Sequence, residues 1–184
     1  MPSPAIEIHG YAIVSDDDGI ADADGRTPKS LRNDADWAYF QSELDRADLV
    51  AIGRLGHEAN PNVHRRRRLV LSASARGLEQ RDDAWWWHPA AMPWREAATR
   101  LLPNGGRVAV PGGQAVFDLF RELGYDAFHL TRAHGVLLPH GRRLFAACEG
   151  GLSGEAVLTA AGLKPDAAQT IDAAADVTLT VWRR

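Results

Sequence analysis

The sequence predicts a single-domain α/β protein whose mostly parallel central sheet is flanked by helices and ends in a C-terminal antiparallel hairpin. Three observations carry that expectation. Short apolar runs rich in β-branched residues alternate with segments of near-helical apolar spacing, the pattern of βαβ units. Several runs stop at Gly or Ser, as where residues 49–52 (LVAI) meet Gly53 and residues 107–110 (RVAV) meet Pro111-Gly112-Gly113. The last two strand-like runs are joined by a short Asp/Ala-rich turn, too short for a parallel crossover. At 184 residues the chain has the length of one domain, 1–184, enough to bury a core.

The elements follow in order. Residues 6–15 (IEIHGYAIVS) read as a buried strand. Asp16-Asp17-Asp18-Gly19, Gly25 and Pro28 then supply turn chemistry, so residues 16–29 are expected to be a long loop with the three aspartates in a solvated turn. Leu31, Trp37, Phe40 and Leu44 place a helix over 31–44, with Asn33 or Asp34 as its N-cap. Strands are expected at 49–52, 69–71, 84–87, 107–110 and 126–131, and helices at 93–102, 116–123 (closed by Gly124) and 153–161. Runs near 169–171 and 177–182 form the final hairpin.

Composition narrows the class. A net charge of -3 and a pI near 6.1 give no electrostatic footprint for nucleic acid or a membrane surface. No apolar run approaches the roughly 20 residues that span a bilayer, and Met1-Pro2-Ser3-Pro4 lacks the character of a signal peptide. The single cysteine, Cys148, rules out an intrachain disulfide and fits a reducing compartment. A cytoplasmic protein is expected.

In open α/β sheets, ligands gather at the carboxyl ends of strands. Gly53-Arg54, Ser72 and Gly112-Gly113 stand at three such ends. Glycines let backbone approach a ligand, and a following helix offers free N–H groups to a phosphate. A plain strand-to-helix turn accounts for Gly112-Gly113 equally well, and G-x-G-x-x-G is absent. Asp36 shares a helix face with Phe40. A carboxylate on an apolar face is costly unless paired or used, although a solvated edge is the commoner lot of such a residue. The seven histidines show no zinc-type spacing, so no metal is expected. The strand Trp85-Trp86-Trp87 faces both sides of its sheet, which suits edge packing or a partner surface.

Taken in order, these features resemble the dihydrofolate reductase family, whose superfamily includes the riboflavin-biosynthesis reductase domain. The features are an acidic loop after the first strand, Asp36-x-x-x-Phe40, Gly53-Arg54, Leu71-Ser72, Gly112-Gly113 and a strand ending in Thr131. The resemblance runs from residue 6 to about residue 145. It implies NADPH as cofactor and a small pterin, by default dihydrofolate, as substrate. Asp36 would be the active-site acid and Thr131 its support. Ala12, Ile13 and Phe40 would line the substrate, and Arg66, within Arg65–Arg68, would meet an acidic substrate tail. Gly53, Arg54, Ser72, Ser74, Gly112, Gly113 and Phe117 would hold the cofactor, with the Gly112-Gly113 peptide cis and Arg76 near an added phosphate. Pro28-Lys29 stands where the family carries Pro-Trp, and Gly56 and Gln114 replace a usual threonine and a third glycine. These departures keep dihydromethanopterin and a riboflavin-precursor ribosylamino-pyrimidine open as alternative substrates. A non-catalytic nucleotide-binding protein on the same fold is a further alternative, and monomer and homodimer both stay open.

Overall fold

A computed structural model describes residues 4–184; residues 1–3, where the expectation about a leader begins, lie outside the described residues. The nine-residue strand β1 (Ile6–Val14) enters the middle of the sheet. There follow β2 (Gly19–Ala21), a 3₁₀ turn (Lys29–Leu31), α1 (Asp34–Asp45), β3 (Leu49–Gly53), α2 (Arg54–Ala59), β4 (Arg68–Leu71), β5 (Leu78–Arg81), β6 (Ala84–Trp87), α3 (Trp94–Leu101), β7 (Gly106–Val110) and α4 (Gln114–Leu123). The chain continues through β8 (Ala127–Ala133), β9 (Arg142–Arg143), α5 (Ala146–Glu149), α6 (Gly154–Ala160), β10 (Lys164–Pro165), β11 (Gln169–Asp172) and β12 (Val177–Arg183).

The large sheet runs β10-β12-β8-β1-β7-β3-β4-β6-β5, with β11 also paired to β12. The interior pairings from β8 through β6 are parallel. Antiparallel strands close both sides: β12 lies along β8 from Val177↔Ala133 to Arg183↔Ala127, and β5 pairs with β6. The expected C-terminal hairpin is β11–β12.

Alternation along β1 divides the helices between two faces. Ile8, Ala12 and Val14 join the main core with Ala97 and Leu101 of α3, Phe117 and Phe120 of α4, and Leu158 of α6. Tyr11 faces the other way and packs with Leu44 and Phe40 of α1, Val50 and Ala109. Gly10 sits beneath the Phe128 ring, which a Cβ would approach to 2.3 Å. Asn33 caps α1 by accepting the Asp36 N–H at 3.0 Å, and the acidic first turn suits the helix dipole.

Several expectations need correction. The loop over 16–29 contains β2, which pairs antiparallel with β9. Of the aspartates before it, Asp16 is exposed as expected, but Asp17 and Asp18 are not solvated. The Asp18 carboxylate is buried and accepts from Arg132 at 2.9 Å and from the Gly154 N–H at 3.1 Å. Asp17 pairs with Arg143 at 2.9 Å and accepts from the Ser15 hydroxyl and the Leu138 N–H. Arg132 also reaches Glu155 at 2.5 Å. Their cationic partners lie more than a hundred residues away, so local turn chemistry carries no sign of them. The tryptophan strand β6 is not an edge, because β5 covers it. Trp87 is fully buried, and its indole N–H donates to the Met92 carbonyl at 2.9 Å.

Candidate active site

Because β1, β3, β4, β7 and β8 are mutually parallel, their carboxyl ends share one rim of the sheet. α2 leaves that rim with Gly53 as its N-cap, and α4 leaves it with Gly113 as its N-cap; neither helix start is capped by a side chain. The two starts are close, since a Cβ on Gly53 would lie 3.3 Å from Val116. Gly112 has φ +113° and its peptide to Gly113 is cis. A Cβ on Gly112 would strike the buried Phe117 ring at 2.8 Å, whereas one on Gly113 would meet nothing within 4 Å. The Gly113 backbone therefore faces open space beside uncapped N–H groups, a surface suited to an anion. Gly53, Gly112, Gly113 and Phe117 thus come together here. Arg54 opens α2 and pairs with Glu58 at 2.9 Å on its exposed side.

On the other face of the sheet, α1 presents Asp36 toward Thr131 of β8. Thr131 is buried and stands in register with Ile13 of β1. Burial pushes the Asp36 carboxyl above its ordinary pKa, and the nearby Thr131 side chain partly counters that rise. Phe40, one turn on, lies 6.2 Å from Tyr11 and 5.8 Å from Trp37, ring centre to ring centre. Trp37 is 59% exposed, a large aromatic left uncovered next to the acid. Ala12 and Ile13 point to opposite faces of β1: Ile13 to the Thr131 side and Ala12 to the main core.

A buried polar seam runs beneath α1 that the sequence reading missed. The Tyr39 hydroxyl meets His129 Nδ1 at 2.5 Å, and His129 Nε2 meets His9 Nδ1 at 3.2 Å. Beside it, the Tyr11 hydroxyl donates to Glu43 at 3.1 Å, and Glu43 also pairs with Arg46 at 2.9 Å. Burial, His9 and two arginines pull the His129 pKa down to about 3, leaving the ring neutral. The available signal was alternation, since His9 and His129 each sit inside an apolar strand.

Further along the rim, Ser72 and Ser74 face each other, Oγ to Oγ, at 2.9 Å. Arg81 donates to the Ser74 hydroxyl at 3.1 Å and to its carbonyl at 2.8 Å. Its guanidinium lies 4.7 Å above the Trp86 ring. Arg81 was missed because β5 is short and weakly patterned. Arg66 lies against α1, bonded to Gln41 and Asp45. A separate hollow of about 410 Å³, lined by Glu7, Arg46 and Arg107, opens at the amino ends of β1 and β7, away from these groups.

No family model and no curated protein matches the chain. Solved structures do. A protein from Shewanella sp. PV-4 described as a putative riboflavin biosynthesis protein is 19% identical, with TM-score 0.67, over 97% of this chain and 99% of that one. Dihydrofolate reductase from Enterococcus faecalis, complexed with NADP(H), is 15% identical, with TM-score 0.65, over 97% and 96%. A diaminohydroxyphosphoribosylaminopyrimidine deaminase/5-amino-6-(5-phosphoribosylamino)uracil reductase from Thermotoga maritima is 17% identical, with TM-score 0.64. The match covers 97% of this chain and only 56% of that bifunctional one. The fold is the dihydrofolate reductase-like α/β fold.

Proposed function

We propose that the protein transfers a hydride from NADPH to the C=N bond of a reduced pterin, with dihydrofolate the first substrate to test. The observation that carries this reading is the pairing of Asp36 with Thr131 on one side of a rim whose other side is the open Gly113 backbone. Finding a lone acid of raised pKa and a phosphate-suited helix start at the same strand ends is what such a reductase requires.

NADPH, when bound, supplies the hydride from its nicotinamide ring. Gly53, Gly113 and the start of α4 fit its pyrophosphate, and Ser72, Ser74, Arg76 and Arg81 fit a ribose phosphate; the last four favour NADPH over NADH. Asp36, sheltered from water, hydrogen-bonds the amino and ring-nitrogen edge of the substrate. As hydride adds to carbon, the C=N electron pair moves to nitrogen, which takes a proton. A carboxyl whose pKa burial raises favours that protonation. Phe40 and Ile13 pack the ring in place, which is positioning work.

NADPH consumption with dihydrofolate, in wild type and Asp36→Asn, tests the reading. Turnover that falls by at least about a hundredfold in the variant, with NADPH still bound, supports it; near-normal turnover removes Asp36 from the mechanism. The resemblance to proteins named for riboflavin biosynthesis favours a second substrate, a phosphoribosylamino-pyrimidine, to be assayed alongside. Binding of NADPH without turnover on any of these rings would favour a non-catalytic nucleotide-binding protein.

A further inference from the structure

We infer that Asp172, in the turn of the C-terminal hairpin, is a positioning residue for the proposed acid: through Asn33 it fixes the start of the helix that carries Asp36. The inference rests on the reading just proposed and deepens it, because it assigns the aim of the acid to a hairpin at the far end of the chain.

Asn33 makes both connections. Its backbone is extended, at φ -141° and ψ 130°, and α1 begins at the next residue. Its amide oxygen accepts the Asp36 N–H at 3.0 Å, and its amide nitrogen donates to Asp172 Oδ2 at 2.8 Å. An ionised carboxylate only accepts, so Asp172 takes the NH2 end of the amide and turns the oxygen toward the helix. The other carboxylate oxygen, Asp172 Oδ1, accepts the Ala175 N–H at 3.0 Å and closes the hairpin turn. The Ala175 N–H, and after it Asn33, hold the Asp172 carboxyl below its ordinary pKa, so it is ionised at neutral pH. Asp176 completes the turn at φ +51°, and its carbonyl accepts the His134 N–H at 3.0 Å. The carboxylate that steers Asn33 is thus itself fixed by the turn that carries it.

An apolar contact runs beside the polar one. Leu31, fully buried, packs with Val177 of β12 and Ile171 of β11. β12 also flanks Thr131, whose register partner is Leu179. The entry to α1 and the strand carrying Thr131 are therefore anchored to the same hairpin. Capping alone does not demand this. A side-chain oxygen from Ser, Thr, Asp or Asn suffices for a cap, whereas the bond to Asp172 needs a donor at position 33 as well. Asp172 lies at the surface, where water and salt screen its field, so it acts on Asp36 through bond geometry rather than through charge. A displacement of about 1 Å at a reacting group costs up to about a hundredfold in rate. Losing one tether of this kind is expected to cost about tenfold.

A donor–acceptor swap tests the assignment. In Asn33→Asp the cap is kept, but two carboxylates face each other and the tether is lost. Adding Asp172→Asn restores each bond with the roles exchanged: the new amide nitrogen donates to the new carboxylate, and its oxygen still accepts from Ala175. With NADPH and dihydrofolate, Asn33→Asp should lose about tenfold in kcat while its Kd for NADPH stays within about twofold, and the double variant should recover to within about twofold of wild type. An unchanged kcat in Asn33→Asp, or an equal loss in the single and double variants, overturns the inference. The Asp36 carboxyl, identified by NMR through its absence in Asp36→Asn, gives a second reading that needs no turnover. Released from its buried place, it should titrate lower in Asn33→Asp than in the double variant. The extra negative charge of the single variant alone produces the reverse order, so that order, or no difference, overturns the inference. The expected order in a protein that turns over no pterin rejects the proposed reaction instead and leaves the positioning role standing.

Discussion

At Asp36 the demands of chemistry and of stability oppose each other. A carboxyl whose pKa is raised by burial contributes most when protonated. That contribution is fully present below its unfolded value and is lost as pH rises through the higher folded value. Asp36→Asn should therefore melt higher than wild type at about pH 8, with the gap closing by about pH 3, while turnover is lost. Thermal unfolding against pH checks this; a lower melting temperature at pH 8 would mean that the carboxylate is better solvated than its burial implies. Gly113 allows a second separation of function from fold. Nothing lies within 4 Å of a Cβ there, so Gly113→Ala should stay folded yet weaken NADPH binding by at least about tenfold, because the methyl occupies ligand space. Calorimetric titration with NADPH reads that loss directly.

At the scale of elements, the docking of α1 decides whether Asp36 is aimed. The seam of Tyr39, His129 and His9 ties the helix to β8 and β1. Removing its hydroxyl with Tyr39→Phe should cost about 1–3 kcal/mol, because His129 Nδ1 is left buried without a partner. The His129 pKa is lowered by burial first and then by His9 and the arginines. Its contribution to stability is thus present above the unfolded value of 6.5 and is lost as pH falls through about 3. His129→Gln should flatten the melting curve across that window, and an unaltered slope would show that the seam does not govern acid unfolding. Long strands and amphipathic helices were legible in the sequence because their periodicity repeats over several residues, as in β1, α4 and β12. The short pieces β2, β5, α2 and α5 were not, since three to six residues give no period to read and distant pairing creates them. The same divide runs through the site. Asp36 and the glycines stand at element ends that pattern marks, whereas Arg81, Tyr39 and the occupation of Arg66 depend on partners that only the folded chain supplies.

Across the whole molecule, one ionic cluster joins parts of the chain remote in sequence. Asp18 and Asp17 follow β1, Arg132 ends β8, Arg143 lies in β9 and Glu155 opens α6. Gln114 extends the tie to the start of α4 through the Arg143 carbonyl at 3.1 Å and Glu149 at 2.9 Å. Removing the central cation with Arg132→Met leaves Asp18 buried without its partner, which should cost about 3–5 kcal/mol in chemical denaturation. A loss below about 1 kcal/mol would place the cluster among weak surface pairs.

The position of β1 in the sheet has one more consequence, for how the chain acquires its structure. β1 lies between β7 and β8, so neither of its neighbours exists until about a hundred residues after it is made. β8 in turn stays a bare edge until the last strand arrives. Only the β3-β4-β6-β5 half, confined to residues 49–87, can pair as the chain is made; the centre built on β1 must wait. Such high contact order makes for slow folding, and until the seven residues of β12 close over β8, the growing chain carries an unpaired apolar ribbon open to association with other chains.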